Sequence, residues 1–238
     1  MTQPSVYLLM AIHCHQPVDN FGFVFERAYE QAYEPFLRVL ERHPAVRVTL
    51  HYSGSLWEWF AAHRPEFLKR LRALANRQQV EFLTGGYYEP ILSTIPESDR
   101  AGQITLMRQA IRRYTGTTAS GLWLTERVWE PELARTLGRN GIRYTLVDTN
   151  QFQSARQWLP HDLQVEDEQG WDVLGCYLTE YEGTSVAVFP ASKRLRYWMP
   201  FQDVRKTIEF LRRLVRERPR ALTFADDWEK FGMWPKTF

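Results

Sequence analysis

Short, nearly continuous apolar runs alternate along the chain with stretches of helical periodicity. The runs fall at residues 6–12, 47–51, 80–83, 121–124, 144–147, 186–189 and 221–225. Parallel strands covered on both faces read in this way, because no face is left for polar residues. Between the runs, Phe67, Leu71 and Leu74 share one helical face, flanked by Lys69, Arg70 and Arg72. Ile104, Met107, Ile111 and Tyr114 repeat the spacing. So do Val204, Ile208, Leu211 and Val215, with Asp203 placed to cap that helix. Pro131 suits a first helical turn, and Gly141 marks the stop of the short helix it opens. Seven strands with mostly helical crossovers predict an α/β fold with a parallel barrel. An open, doubly wound sheet is the alternative, since pattern does not fix closure.

Residues able to do chemistry collect where these runs end. His13 and His15 follow the first run, Ser53 and Gly54 the second, and Gly85, Gly86 and Glu89 the third. Glu126 follows the fourth and Asp148 the fifth. Pro190 and Ser192 follow the sixth, and Asp226 and Asp227 the seventh. Loops at the C-terminal ends of parallel strands gather on one face, which is where barrel enzymes react.

The remaining composition narrows the class. A chain of 238 residues with 44 % hydrophobic residues suits one barrel domain. A formal net charge of +2 gives no electrostatic reason to expect nucleic acid or an anionic membrane as partner. Residues 1–11 have no basic start, and their apolar run is too short to span a bilayer. Two cysteines, Cys14 and Cys176, are too few for a disulfide framework and fit reduced thiols in the cytoplasm. Aromatics reach 14 %, with nine Trp; most are expected to fill the core, and some to stack on sugar rings.

Three constellations carry candidate chemistry. In Trp-Leu-Thr-Glu-Arg-Val-Trp-Glu-Pro, residues 123–131, Glu126 ends an apolar strand and Arg127 is placed to keep it ionised. A structural Glu–Arg pair is the plainer alternative. In Phe-Ala-Asp-Asp-Trp-Glu-Lys, residues 224–230, three acids fall within four positions. Repulsion and desolvation should raise the pKa of at least one, which makes a proton donor. A solvated acidic turn or a divalent metal site are the rival readings. In His-Cys-His-Gln-Pro, residues 13–17, His13 and His15 share a strand face, as a metal pair or as donors to hydroxyl groups. Two converging carboxylates are the machinery of glycoside cleavage.

Together, His15-Gln16-Pro17, Gly85-Gly86-Tyr87-Tyr88-Glu89-Pro90, Trp123-Leu124-Thr125-Glu126-Arg127-Val128 and Asp226-Asp227-Trp228-Glu229-Lys230-Phe231-Gly232 resemble glycoside hydrolase family 57. The resemblance is to its 4-α-glucanotransferase and α-amylase-like branch, and it spans nearly the whole chain. It implies a TIM-like, incomplete (β/α)₇ barrel and a retaining mechanism on α-1,4-glucans without a cofactor or metal. It places Glu126 as nucleophile and Asp227 as acid/base, with His13, His15, Glu89, Trp123, Asp226 and Glu229 around the substrate subsites. Residues 1–238 then form a single catalytic barrel that stops before the helical and β-rich regions of full-length relatives. Apolar surface left bare by such a truncation would favour self-association. Trp228 stands where the family usually has glycine, and its bulk is expected to narrow a subsite. Two other readings stay open: a catalytically weak glucan-binding module, and a metal-dependent polysaccharide deacetylase. The latter generally uses His-x-x-x-His, which the histidines at 13, 15, 43, 51, 63 and 161 do not form.

Overall fold

The computed structural model describes residues 5–216 and 220–237. The chain opens with strand β1 (Val6–Cys14), helices α1 (Gly22–Ala28) and α2 (Glu34–Arg42), and β2 (Val48–Tyr52). Helices α3 (Gly54–His63) and α4 (Pro65–Asn76) lead to β3 (Val80–Thr84). Helix α5 (Glu97–Thr115) leads to the two-residue β4 (Gly121–Leu122), and α6 (Leu133–Arg139) to β5 (Tyr144–Asp148). A 3₁₀ stretch, a hairpin of β6 (Gln164–Asp167) and β7 (Gly170–Val173), and β8 (Tyr177–Tyr181) precede β9 (Thr184–Ala191). Helices α7 (Lys193–Trp198) and α8 (Val204–Leu214) then lead to β10 (Arg220–Asp227).

The parallel order is β10-β1-β2-β3-β4-β5-β9, and β9 pairs back onto β10 at Thr223↔Ala191. That contact closes a seven-stranded barrel and removes the open sheet as an alternative. Closure is thin there: beside that pairing, the Ser192 N–H donates to the Thr223 carbonyl at 2.8 Å. Each of the seven apolar runs holds a barrel strand. The sequence reading lacked β6, β7 and the antiparallel β8. The β8–β9 turn did carry a signal, since Glu182 and Gly183 both adopt positive φ, as a two-residue hairpin turn demands.

Side-chain alternation sorts the barrel strands. Ala11, Leu83, Trp123, Leu146, Ala191 and Ala225 pack together inside it. Ile12, Leu50, Phe82, Leu222 and Phe224 point outward and bury against the helices. Two positions beyond the interior residues Ala11, Leu146 and Ala225 come His13, Asp148 and Asp227, so the barrel's C-terminal mouth is polar.

Helices α4 and α5 bury the expected faces: Phe67, Leu71 and Leu74 on one, Ile104, Met107 and Ile111 on the other. Helix α5 ends at Gly116 in the left-handed region, with Glu97 and Asp99 in its first turn and Arg112 and Arg113 in its last, as the helix dipole favours. In α8 the expected face is wrong. Thr207, Phe210 and Leu214 are buried, while Val204 and Ile208 are exposed. The buried stripe is rotated by about one residue because Phe210 packs on Trp198 and under the guanidinium of Arg194. Asp203 does cap this helix, its side chain accepting from the Arg205 N–H. Among the described residues no helix is long and apolar enough to cross a membrane.

Candidate active site

A cleft of about 550 Å³ opens at the C-terminal mouth of the barrel. Its walls include His13, His15, Glu89, Trp123, Glu126, Arg127, Asp227 and Glu229, with Tyr88 and Trp234 at the rim. Register explains why these meet. His13 on β1 pairs with Asp227 on β10 and with His51 on β2, so three polar side chains stand at one level of the barrel. Glu126 arrives from the end of β4, across that ring.

The backbone is bent where it presents the acids. Glu89, Glu126 and Arg127 have φ of 53°, 54° and 53°, in the left-handed region that costs a non-glycine residue energy. Such strain persists only where neighbours hold it. At Glu126 the Arg127 N–H donates to the Leu124 carbonyl at 2.8 Å, and the Arg127 side chain is anchored on Asp148 at 2.8 Å. Arg127 was expected to pair with Glu126; its partner is instead Asp148, and its guanidinium lies over Trp123.

His13 and His15 do share a face and both approach Glu89, which sits on the loop after β3. His13 lies flat on Trp123, ring centroids 4.6 Å apart and 6° from parallel. Its Nδ1 is 2.9 Å from Nδ1 of His51. Burial, reinforced for His13 by its neighbours His51, His15 and Arg127, pushes both imidazoles down, His51 to about 3. One ring must therefore donate to the other. If His51 donates, His13 carries its proton on Nε2, facing Glu89 Oε1 at 3.4 Å, and no lone pair opposes the carboxylate. At that distance Glu89 Oε1 is not satisfied, and it is buried without a hydrogen-bond partner among the described residues. A ligand hydroxyl entering the cleft would supply one. Gly85 makes the arrangement possible: a Cβ there would stand 2.5 Å from His51 Nε2. The ligand atoms of His13, His15 and Glu89 also lie within 4.8 Å of one another, a set able to hold a divalent ion.

The three acids after β10 divide. Asp227 faces the cleft, and its pKa is raised, first by burial and then by Asp226, against the opposing pull of Arg127, Lys230 and Arg196. Glu229 accepts from the His15 N–H at 2.7 Å and from the Tyr33 hydroxyl. Burial pushes it up to about 7 despite those bonds. Asp226, expected around the subsites, is not in the cleft wall. Strand alternation turns it away from Asp227, and it is buried in ion pairs with Lys230 and Arg196. Trp228 narrows no subsite: it stacks on Phe231, packs at a tilt against Phe36, and its indole N–H donates to the Ala32 carbonyl at 3.1 Å. Behind the cleft wall, His51, Asp148, Tyr33 and Arg196 hold its side chains, and of these only Asp148 is marked by the sequence as a candidate. His51 and Asp148 each sat at a strand end, which was the available signal. Tyr33 and Arg196 lie in helical segments and offered none.

These shifts have a sign that can be measured. The folded value of Glu229, about 7, lies above its ordinary 4.5. Its contribution to stability is therefore full below about pH 4.5 and lost as pH rises through 7. His51 acts oppositely, its contribution full above pH 6.5 and lost as pH falls toward 3. Glu229→Gln should remove only the first effect. Relative to the variant, the unaltered chain should lose about 3 kcal/mol of stability between pH 4.5 and 8, at 1.36 kcal/mol per unit. Denaturant unfolding of both chains across that range checks this; a constant difference would show that Glu229 does not hold its proton.

The profile of glycosyl hydrolase family 57 matches residues 7–238. The chain is 44 % identical over 235 residues to an α-amylase of Pyrococcus furiosus, covering 98 % of this chain and 34 % of that one. It superposes on the crystal structure of 4-α-glucanotransferase from Thermococcus litoralis with a TM-score of 0.88 and 42 % identity, over 98 % of this chain and 35 % of that one. A polysaccharide deacetylase structure from Mycobacterium smegmatis shares the fold at a TM-score of 0.63, with 13 % identity over 95 % of this chain and 78 % of that one. The chain thus spans about a third of the length of the α-amylase and the 4-α-glucanotransferase it resembles, and it belongs to glycosyl hydrolase family 57.

Proposed function

We propose that residues 1–238 form the catalytic barrel of a retaining enzyme acting on α-1,4-linked glucans, with Glu126 as nucleophile and Asp227 as general acid/base. The observation that carries this reading is the pair itself. Two carboxyl groups from β4 and β10 enter one cleft, and burial raises the pKa of one of them, Asp227. A retaining glycosidase needs that division: one carboxylate ionised to attack, one carboxyl protonated to donate.

In the proposed cycle Glu126 attacks the anomeric carbon while Asp227 gives its proton to the departing glycosidic oxygen. A glycosyl ester on Glu126 results. Asp227, now a carboxylate, takes a proton from the incoming hydroxyl, which displaces Glu126 at the same carbon. A sugar hydroxyl gives transfer, and water gives hydrolysis. With His51 as donor, His13 Nε2–H and the unsatisfied Glu89 oxygen are placed to hold ring hydroxyls, and Tyr88 and Trp234 offer exposed faces for stacking at the rim.

The test is incubation with maltoheptaose, with products separated by chromatography in buffer with and without a chelator. Longer and shorter maltooligosaccharides, unaffected by chelation, are expected from a transferase; shorter ones alone mean hydrolysis. The His13, His15 and Glu89 cluster favours one rival, a metal-dependent deacetylase, which would release acetate from acetylated glycans and stop when the chelator is added. Binding of the sugar without turnover would leave a glucan-binding module.

A further inference from the structure

An alternating chain of charges runs beneath the cleft. Arg127 Nε lies 2.8 Å from Asp148 Oδ1, an ion pair without hydrogen-bond alignment. Arg196 Nη1 reaches both oxygens of the same carboxylate, at 3.1 and 3.2 Å. Arg196 Nε turns the other way, to Asp226 Oδ1 at 3.4 Å, and Asp226 Oδ2 holds Lys230. The Asp227 N–H also donates to Asp226 Oδ1, at 3.0 Å. One end of this chain is the residue after Glu126, and the other is the residue before Asp227. Arg196, on the short helix α7 capped by Ser192, is the one group in it that touches carboxylates on both sides.

On the β9 side of the barrel the sites it joins are weakly coupled, although β10 pairs with β1 over eight positions on the other side. Glu126 follows a strand of only two residues, on a strained backbone. Asp227 lies on the strand whose pairing to β9 is a single register pair. Strand pairing across β5, β9 and β10 is therefore a poor ruler between the two acids, while retention requires their separation to be held near 5–5.5 Å. Arg suits this task better than Lys, because its planar fork fixes direction as well as charge.

We propose that Arg196 is a positioning residue that ties the Glu126 segment, through Asp148 and Arg127, to the Asp227 segment, through Asp226, and so sets the spacing of the two carboxyl groups. This rests on the Glu126/Asp227 reading above. The chain's role differs from simple charge balance in a way that variants can separate. The charged and titratable groups that act on Asp227 are Asp226, Glu229 and Lys230 on its own segment, Cys14 from β1, Arg127 from the β4 side and Arg196 from α7. Removing the Arg196 cation should raise the Asp227 pKa; replacing it by Lys should not.

The experiment compares Arg196→Lys, Arg196→Met and Asp148→Asn with the parent chain. With maltoheptaose, all three should lose about 10–100-fold in kcat with little change in KM, as expected when reacting groups are misplaced by a fraction of an ångström. The basic limb of the pH–rate profile should move upward in Arg196→Met and stay in place in Arg196→Lys. Arg196→Met combined with Asp148→Asn should cost little more than the worse single change, since both break one chain. Calorimetry with an iminosugar cation, which mimics the charge of the transition state, gives a readout that needs no turnover. Its affinity should fall at least 10-fold in each variant while that of maltoheptaose holds. Full kcat and iminosugar affinity in Arg196→Lys would overturn the proposal and leave a purely electrostatic role. Additive losses in the double variant, or equal losses of iminosugar and maltoheptaose affinity, would also overturn it. If Glu126→Gln and Asp227→Asn leave turnover intact, the reading beneath it fails instead.

Discussion

Glu126→Gln is expected to lower maltoheptaose turnover by about 10⁴-fold or more, with stability changed little. Gln has the size and shape of Glu, so the side chain can keep its place at the end of β4. The left-handed turn that presents it is held by backbone bonds and by the Arg127–Asp148 ion pair, none of which uses the Glu126 carboxylate. What disappears is a negative oxygen able to bond to the anomeric carbon. The role can be confirmed by chemistry as well as by loss. In Glu126→Ala the space left open should admit azide, which attacks C1 directly and yields a β-glycosyl azide of inverted configuration. Turnover within tenfold of the parent, or an azide product of retained configuration, would remove Glu126 from the nucleophile's role.

The second large effect concerns which acid holds the proton. Asp227 and Glu229 both have raised pKa values, and both line the cleft. The geometry separates them. Glu229 is engaged by Tyr33 and by the His15 N–H, both on Oε1, whereas the interactions at Asp227 leave its side chain facing open space in the cleft. Asp227→Asn should therefore cost about 10²–10⁴-fold on maltoheptaose, the usual worth of general acid catalysis. On an α-glucosyl fluoride, whose leaving group needs little proton transfer, formation of the glycosyl ester should be nearly restored. Glu229→Ala, which removes the acceptor of the Tyr33 and His15 hydrogen bonds, should be impaired on both substrates, because it disturbs the His15 loop rather than a proton. The reverse pattern, with the fluoride rescuing Glu229→Ala alone, would reassign the acid/base to Glu229.

Much of this architecture was written locally in the chain. Seven apolar runs marked seven barrel strands because a strand buried on both faces leaves a continuous record of its own burial. Acids and histidines at the ends of those runs marked the mouth, since parallel strands bring all their C-terminal ends to one side. His13, His15, Glu89, Glu126, Asp227 and Glu229 were legible for that reason and Trp123 through the family resemblance, and the cleft gathers all seven. The hairpin β6–β7 and strand β8 were not, being half exposed and therefore weakly apolar.

Legible along the chain alone were the order of the seven barrel strands and most of the residues at the barrel's reacting end. Tertiary structure alone decided closure of the sheet at Thr223 and Ala191. It also decided the burial of Asp226 against the exposure of its neighbour to the cleft, the pairing of Arg127 with Asp148, and the turning of Trp228 onto Phe36. Each of these depends on a partner far away in the chain: Arg196 meets Asp148 across 48 positions, and Trp228 meets Ala32 across 196. Burial and periodicity are properties of a segment and can be read along it. The direction of a charged or aromatic side chain is set by whichever distant group folding places within 3–4 Å, because only at that range do hydrogen bonds and contact forces outweigh the freedom to point elsewhere.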